Sequence, residues 1–235
     1  MTAIFKRELK SYFASPVGYV VVAALAALYG FFYYQVMLTG ASAYISEVYS
    51  SLYMFGMMII PIITMKTMSE DRKNKTDQAL LTAPISVTAI VMGKFLSAFA
   101  LYAIPTVMGL LPALAMSTFS NPPWGIVIGN FISTLLYGGA MISIGVFISS
   151  LTESQIVAAI GTLAISLLLM CIDLLSAVFS NVKWITSATN FLSISSRFSD
   201  FTAGLIYYDN VIFFLTLQVL FLFLTVRVLD SKRWN

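Results

Sequence analysis

The chain has 235 residues, 59% hydrophobic and 10% charged, whereas an average soluble domain carries about 25% charged residues. Its formal net charge is +3, and it contains one Cys and no His. These values exclude a soluble globular enzyme, a disulfide framework, His-dependent triads and most zinc hydrolase sites, and they point to an all-α membrane protein.

In "IFKRELKSYF", Phe5, Leu9 and Phe13 recur at i, i+4 and i+8, with Lys6, Arg7 and Lys10 mostly on other faces. That pattern predicts an interfacial helix over about 3–15, its apolar stripe in lipid; the simpler alternative is a basic flank to the first span. Ser15-Pro16 marks the turn into the bilayer. A crossing needs roughly 20 apolar residues, and 17–38 supplies the first. The run is of spanning length and has no convincing cleavage site, so it reads as a retained anchor. A second charge-free run, Tyr49 to Met65, gives span two at about 49–68.

The stretch "SEDRKNKTDQ" follows, where Glu70, Asp71, Arg72, Lys73, Lys75 and Asp77 crowd together in a chain otherwise poor in charge. After it come Leu80-Leu81-Thr82-Ala83-Pro84 and an apolar piece from Ser86 to Val91. Ser86 is placed to cap a short helix lying along the membrane, and Gly93-Lys94 closes the segment, 69–94. Residues 95–152 carry no charge, and Asn121-Pro122-Pro123 divides them into spans three and four, about 95–119 and 124–150. Gly125 and Gly129 form a G-x-x-x-G, read as packing within the protein rather than as a dimer seam. The link to span five is short. Thr152 and Gln155 have the spacing of a capping box, and Glu153 is either part of that cap or a contact for a cytoplasmic partner. Span five, about 155–179, contains Asp173 roughly 25 Å along the helix, near its far end.

Residues 180–210 are too polar to span and too apolar for a solvated loop. Trp184, Arg197, Phe198, Phe201, Leu205 and Asp209 fall here, with Phe198, Phe201 and Leu205 on one helical face, suggesting short amphipathic helices at the outer leaflet that act as interface anchors or as a lid. Span six, about 211–229, completes the set. With six spans, every Lys and Arg except Lys183 and Arg197 falls on the side of the termini. The positive-inside rule puts both termini and the charged cluster in the cytoplasm and 180–210 outside. The positive net charge therefore reports topology, and no nucleic-acid partner is needed.

No G-x-x-x-x-G-K-[ST] is present, and spans one to four lack the midplane acids that ion-coupled carriers use. Energy for any uphill movement must enter from another chain at the cytoplasmic face. The run Glu70-Asp71-Arg72-Lys73, Thr76, Leu80-Leu81-Thr82-Ala83-Pro84-Ile85-Ser86 and Gly93-Lys94-Phe95 resembles the segment between spans two and three of ABC-2 type transporter permeases, with Lys75 where that family usually has Gly and Gln78 where it has an acid. "KRELKSYFASPVGYV", "RFSDFTAGLIYYDNVIFF" and "RVLDSKRW" are similar to the branch of gliding-motility-associated and nitrous-oxide-reductase-maturation permeases.

The resemblance implies six spans, an interfacial N-terminal helix, a coupling helix between spans two and three, and outer half-helices between spans five and six. It also implies two permease subunits, identical or homologous, in a bacterial inner membrane, with two separate ATPase subunits. ATP and Mg sit on those partners and no cofactor on this chain. It makes Glu70, Asp71, Arg72, Thr76, Leu80, Leu81, Pro84, Ser86 and Lys94 the coupling residues, with Glu153 a second contact and Trp184, Arg197, Phe198, Phe201 and Asp209 an outer gate. The runner-up is a scaffold that uses ATPase cycling to work mechanically on an extracytoplasmic partner. An intramembrane enzyme is disfavoured, because no pair of catalytic groups converges.

Overall fold

A computed structural model describes residues 1–39, 45–118, 121–178 and 193–234. The described residues form helices without strands: α1 (Thr2–Ala14), α2 (Pro16–Thr39), α3 (Ile45–Thr64), α4 (Ser69–Lys73), α5 (Thr76–Thr82), α6 (Val87–Met108), α7 (Leu110–Met116), α8 (Trp124–Leu151), α9 (Gln155–Val178), α10 (Ile194–Thr202) and α11 (Tyr208–Trp234). Six segments are long and apolar enough to cross a membrane, starting at Pro16, Ile45, Val87, Trp124, Gln155 and Tyr208. This is a multi-pass, all-helical membrane protein.

Helix α8 runs through the centre, packed on α3, α6, α9, α10 and α11. Ala140, Ile142 and Val146 on it are fully buried. In lipid there is no hydrophobic gain from bringing apolar helices together, so close van der Waals contact must hold the bundle. Small residues on α8 supply it: a Cβ on Gly138 would stand 2.1 Å from the Tyr102 ring of α6, and one on Gly145 2.2 Å from Thr64 of α3. Gly129 packs within the protein, facing Phe201 and Gly204, while Gly125 meets open space.

On α1 the face turned to the bundle is Ile4, Glu8 and Tyr12, one position away from the Phe5–Leu9–Phe13 stripe; Ile4 and Tyr12 are buried. Span two starts earlier than its charge-free run, because Glu47 sits in the first turn of α3, where a negative charge favours the helix dipole. Span three also starts earlier. No breaker separates Val87 from Lys94, so the expected short helix from Ser86 to Val91 is the first turns of α6, capped by Ser86, whose Oγ accepts from the Ala89 N–H at 3.3 Å. The short helix of the charged segment is α5.

The expected Thr152 cap is corrected as well. Helix α9 begins at Gln155, and Ser154 Oγ accepts from the Val157 N–H at 3.5 Å, while Thr152 ends α8. Asp173 belongs to α9, its side chain outside the described set. Helix α10 stops at Thr202 because Gly204 takes φ +80°, a left-handed conformation natural to glycine. Leu205 therefore leaves the face shared by Phe198 and Phe201 and is exposed.

Candidate functional site

At the end of the bundle carrying both termini, α3 gives way to α4 through a turn at 65–68. Such a break leaves backbone groups without helical partners. Ser149 of α8 supplies them: its Oγ accepts from the Met68 and Ser69 N–H groups, each at 3.1 Å, and donates to the Met65 carbonyl at 3.2 Å. Tyr12 donates to the Ile63 carbonyl at 2.7 Å; burial, then the nearby Glu8 and Glu70 charges, push its phenol well above the usual range, so it stays a donor.

Between α4 and α5 the chain reverses at Asn74-Lys75. Lys75 has φ 56°, making it the one non-glycine with positive φ among the described residues. This is the position where the resembling family carries glycine, and the conformation gives the reason. Thr76 fastens the turn by donating to Asp71 Oδ1 at 2.7 Å and to the Asp71 carbonyl at 3.2 Å. Asp77, next to the substituted Gln78, accepts from the Gln78 N–H at 2.9 Å. Pro84 then sits at the centre of a tight turn, the Ile85 N–H donating to the Ala83 carbonyl at 2.7 Å, before Ser86 opens α6.

Asp71 turns its other oxygen inward. Lys94, reaching down from α6 with its side chain only 2% exposed, lies 2.5 Å from Asp71 Oδ2 and 3.3 Å from Glu8 Oε1, and also donates to the Thr67 carbonyl. The ammonium donates to Glu8 and to the Thr67 carbonyl, and Asp71 pairs with it as a second carboxylate. Arg7 closes the ring, 2.5 Å from Glu8 and 3.7 Å from Asp71. A buried cation thus ties α1, α4 and α6 together, and it is stable there because it is paired with two carboxylates and hydrogen-bonded to a carbonyl. Glycine at 93 lets α1 approach, since a Cβ would stand 2.9 Å from Ile4.

Arg72 points the other way. It donates to the Ser150 carbonyl at 3.2 Å and pairs with Glu153 at 3.3 Å, across the α8–α9 turn. Lys232 of α11 donates to the same Ser150 carbonyl at 2.8 Å. Glu153 is thus a partner of Arg72 and takes no part in the α9 cap.

Among the residues expected from sequence, Asp71, Thr76 and Lys94 form one network, and Arg72 and Glu153 form a second on the other side of α4. Glu70 is partly exposed beside them, and Leu80 turns inward toward Met68, Ile90 and Leu229 around a gap of about 20 Å³, no roomier than a water needs. Leu81 lies on α5 with its side chain outside the described set, whereas Lys73, Lys75, Gln78, Thr82 and Pro84 are exposed. The described residues form a firmly held, solvent-facing knob. Glu8, Ser149 and Lys232 went unnoticed in sequence; only the i, i+4 spacing of Glu8 with Ile4 and Tyr12 hinted at an inward face.

At the opposite end, α10 is wedged into the bundle. Phe198 lies 4.7 Å from the Tyr53 ring and 5.8 Å from Tyr137, and Phe201, fully buried, meets Phe214. Ser193 caps it, and the Thr202 carbonyl accepts from Ser46 at 2.6 Å. Arg197 donates to Asn210 at 2.9 Å and covers the Phe213 ring at 4.3 Å; Asp209 is exposed nearby. Trp184 lies outside the described residues.

A comparison with curated proteins found no match. The sequence pattern of the ABC-2 family transporter proteins matches residues 2–230, nearly the whole chain. With six crossings and a braced, charged segment between the second and third, the chain belongs to the ABC-2 family and is a membrane component of an ABC transporter.

Proposed function

We propose that the chain is the transmembrane subunit of an ATP-driven exporter, and that α4, the turn at Lys75, α5 and Pro84 form the docking knob for a separate ATPase subunit. Two copies of each assemble in a bacterial inner membrane with both termini cytoplasmic, and ATP and Mg bind the partner ATPase. Glu70, Asp71, Arg72, Thr76, Leu80, Leu81, Pro84, Ser86 and Lys94 make up or support the knob. The branch is that of the gliding-motility and nitrous-oxide-reductase-maturation permeases.

One observation carries the reading: the exposed knob is bound to α1 and α6 through Lys94 and to the α8–α9 turn through Arg72. A push on α5 is therefore passed to α1, α6 and α8 as a displacement of packed bodies, where a floppy loop would absorb it. The close packing of α8 favours a path between two subunits rather than through one. The wedged α10, with Phe198 and Phe201 inside and Arg197 and Asp209 at its edge, forms a gate at the outer end.

The test uses single cysteines at the exposed positions Lys73, Gln78 and Thr82 in the complex with the cognate ATPase. Cross-links to the ATPase from these positions, and loss of ATP turnover on K73E/K75E, are expected. An ATPase that co-purifies without cross-linking here docks elsewhere, and the proposal fails.

A further inference from the structure

A groove of about 610 Å³ opens on the membrane side of α11, at the end away from the termini. Its mouth carries Arg197 and Asp209, and its walls are Ile212, Phe213, Leu217 and Leu220. Two opposite charges at one end of an apolar slot match an amphiphile whose head bears both signs. From Asp209 to Leu220 the helix rises about 16 Å, close to half of a hydrocarbon core of about 30 Å. The slot therefore has the length of one acyl chain in one leaflet.

The sign of the head follows from the local charge. Among the described residues at this mouth Arg197 is the cation, while Asp209 and Asp200 are both acidic, Asp200 accepting from Asn210 at 2.9 Å. An anionic head would meet more negative than positive charge from these described groups. A head that brings its own ammonium satisfies both sides, with phosphate oxygens accepting from the guanidinium and the ammonium donating to Asp209. A primary ammonium has N–H groups to give, and a quaternary one has none.

We infer that this groove is a binding site for an aminophospholipid of the phosphatidylethanolamine type, with its phosphate on Arg197, its ammonium on Asp209 and an acyl chain along Ile212 to Leu220. Occupancy would brace α10 against α11. The site is independent of the docking knob at the other end.

The experiment takes the purified transporter complex in nanodiscs of equal phosphatidylethanolamine, phosphatidylglycerol and phosphatidylcholine and measures retained lipid by native mass spectrometry. Wild type should retain phosphatidylethanolamine preferentially. D209N should lower that preference about tenfold, as expected for one charge-assisted hydrogen bond. T216W, which fills the slot from an exposed position and leaves both charges in place, should displace lipid of every class. Equal or stronger retention of phosphatidylglycerol, or a preference unmoved by D209N, overturns the assignment. So does a disulfide between two copies bearing L220C, which would show a second subunit covering this face.

Discussion

Replacing Lys94 with Met tests whether the buried cation pins the helices. The thioether keeps the length of the side chain and removes its charge, leaving Glu8 and Asp71 facing each other without the ammonium between them. Removing one partner of a buried ion pair costs about 3–5 kcal/mol. Here Glu8 and Asp71 are 15% and 19% exposed, and Arg7 stands 3.7 Å from Asp71, so water and the guanidinium recover part of that. The net loss should be about 2–3 kcal/mol. In a chain of this length, that lowers Tm by roughly 4–12 °C. The assay is thermal unfolding in detergent, with ATP turnover and transport measured on the reconstituted complex. The double variant D71N/K94M should lose less than the sum of the two single variants, because it removes both halves of the pair. A K94M protein that melts within about 1 °C of wild type, well short of the smallest shift expected, roughly 4 °C, refutes the reasoning.

Arg72 and Glu153 should respond unequally although they touch. R72A abandons the Ser150 carbonyl and should cost about 1–2 kcal/mol in thermal unfolding, while E153A, whose side chain is 69% exposed, should cost less than about 0.5 kcal/mol. At Lys75, K75G should stabilise by up to about 1 kcal/mol by removing the left-handed penalty, and K75V should lower Tm, because a β-branched residue at positive φ is strained further. G138A should cost about 2–3 kcal/mol through overpacking on Tyr102, whereas G125A, with nothing within 4 Å, should leave Tm unchanged or raised.

Much of this protein could be read in one dimension. The apolar runs are as long as the bilayer is thick, Pro and Asn mark the breaks, and nearly every basic residue lies on the side of the termini. These are properties of local sequence, and the solvent itself enforces them, because a backbone in lipid must satisfy its own hydrogen bonds within a helix. The density of charge from Glu70 to Asp77 also marked the candidate segment, and the resembling family's glycine flagged the turn at Lys75. Which of those charges face outward could not be read the same way. Asp71 and Lys94 are separated by a turn, a helix and a proline, and Glu8 belongs to another helix altogether; only when α1, α4 and α6 converge does Lys94 meet two carboxylates and become tolerable inside. Likewise Ser149 looks like any serine of span four until the break at 65–68 is laid against it, and Leu205 shares a face with Phe201 only until Gly204 ends the helix. Sequence alone determined six crossings, their orientation signal and the segment of interest, because period and charge act locally. Tertiary structure alone decided which residues pin that segment and which remain free to meet a partner, because the burial of a charge depends on groups that arrive from distant parts of the chain.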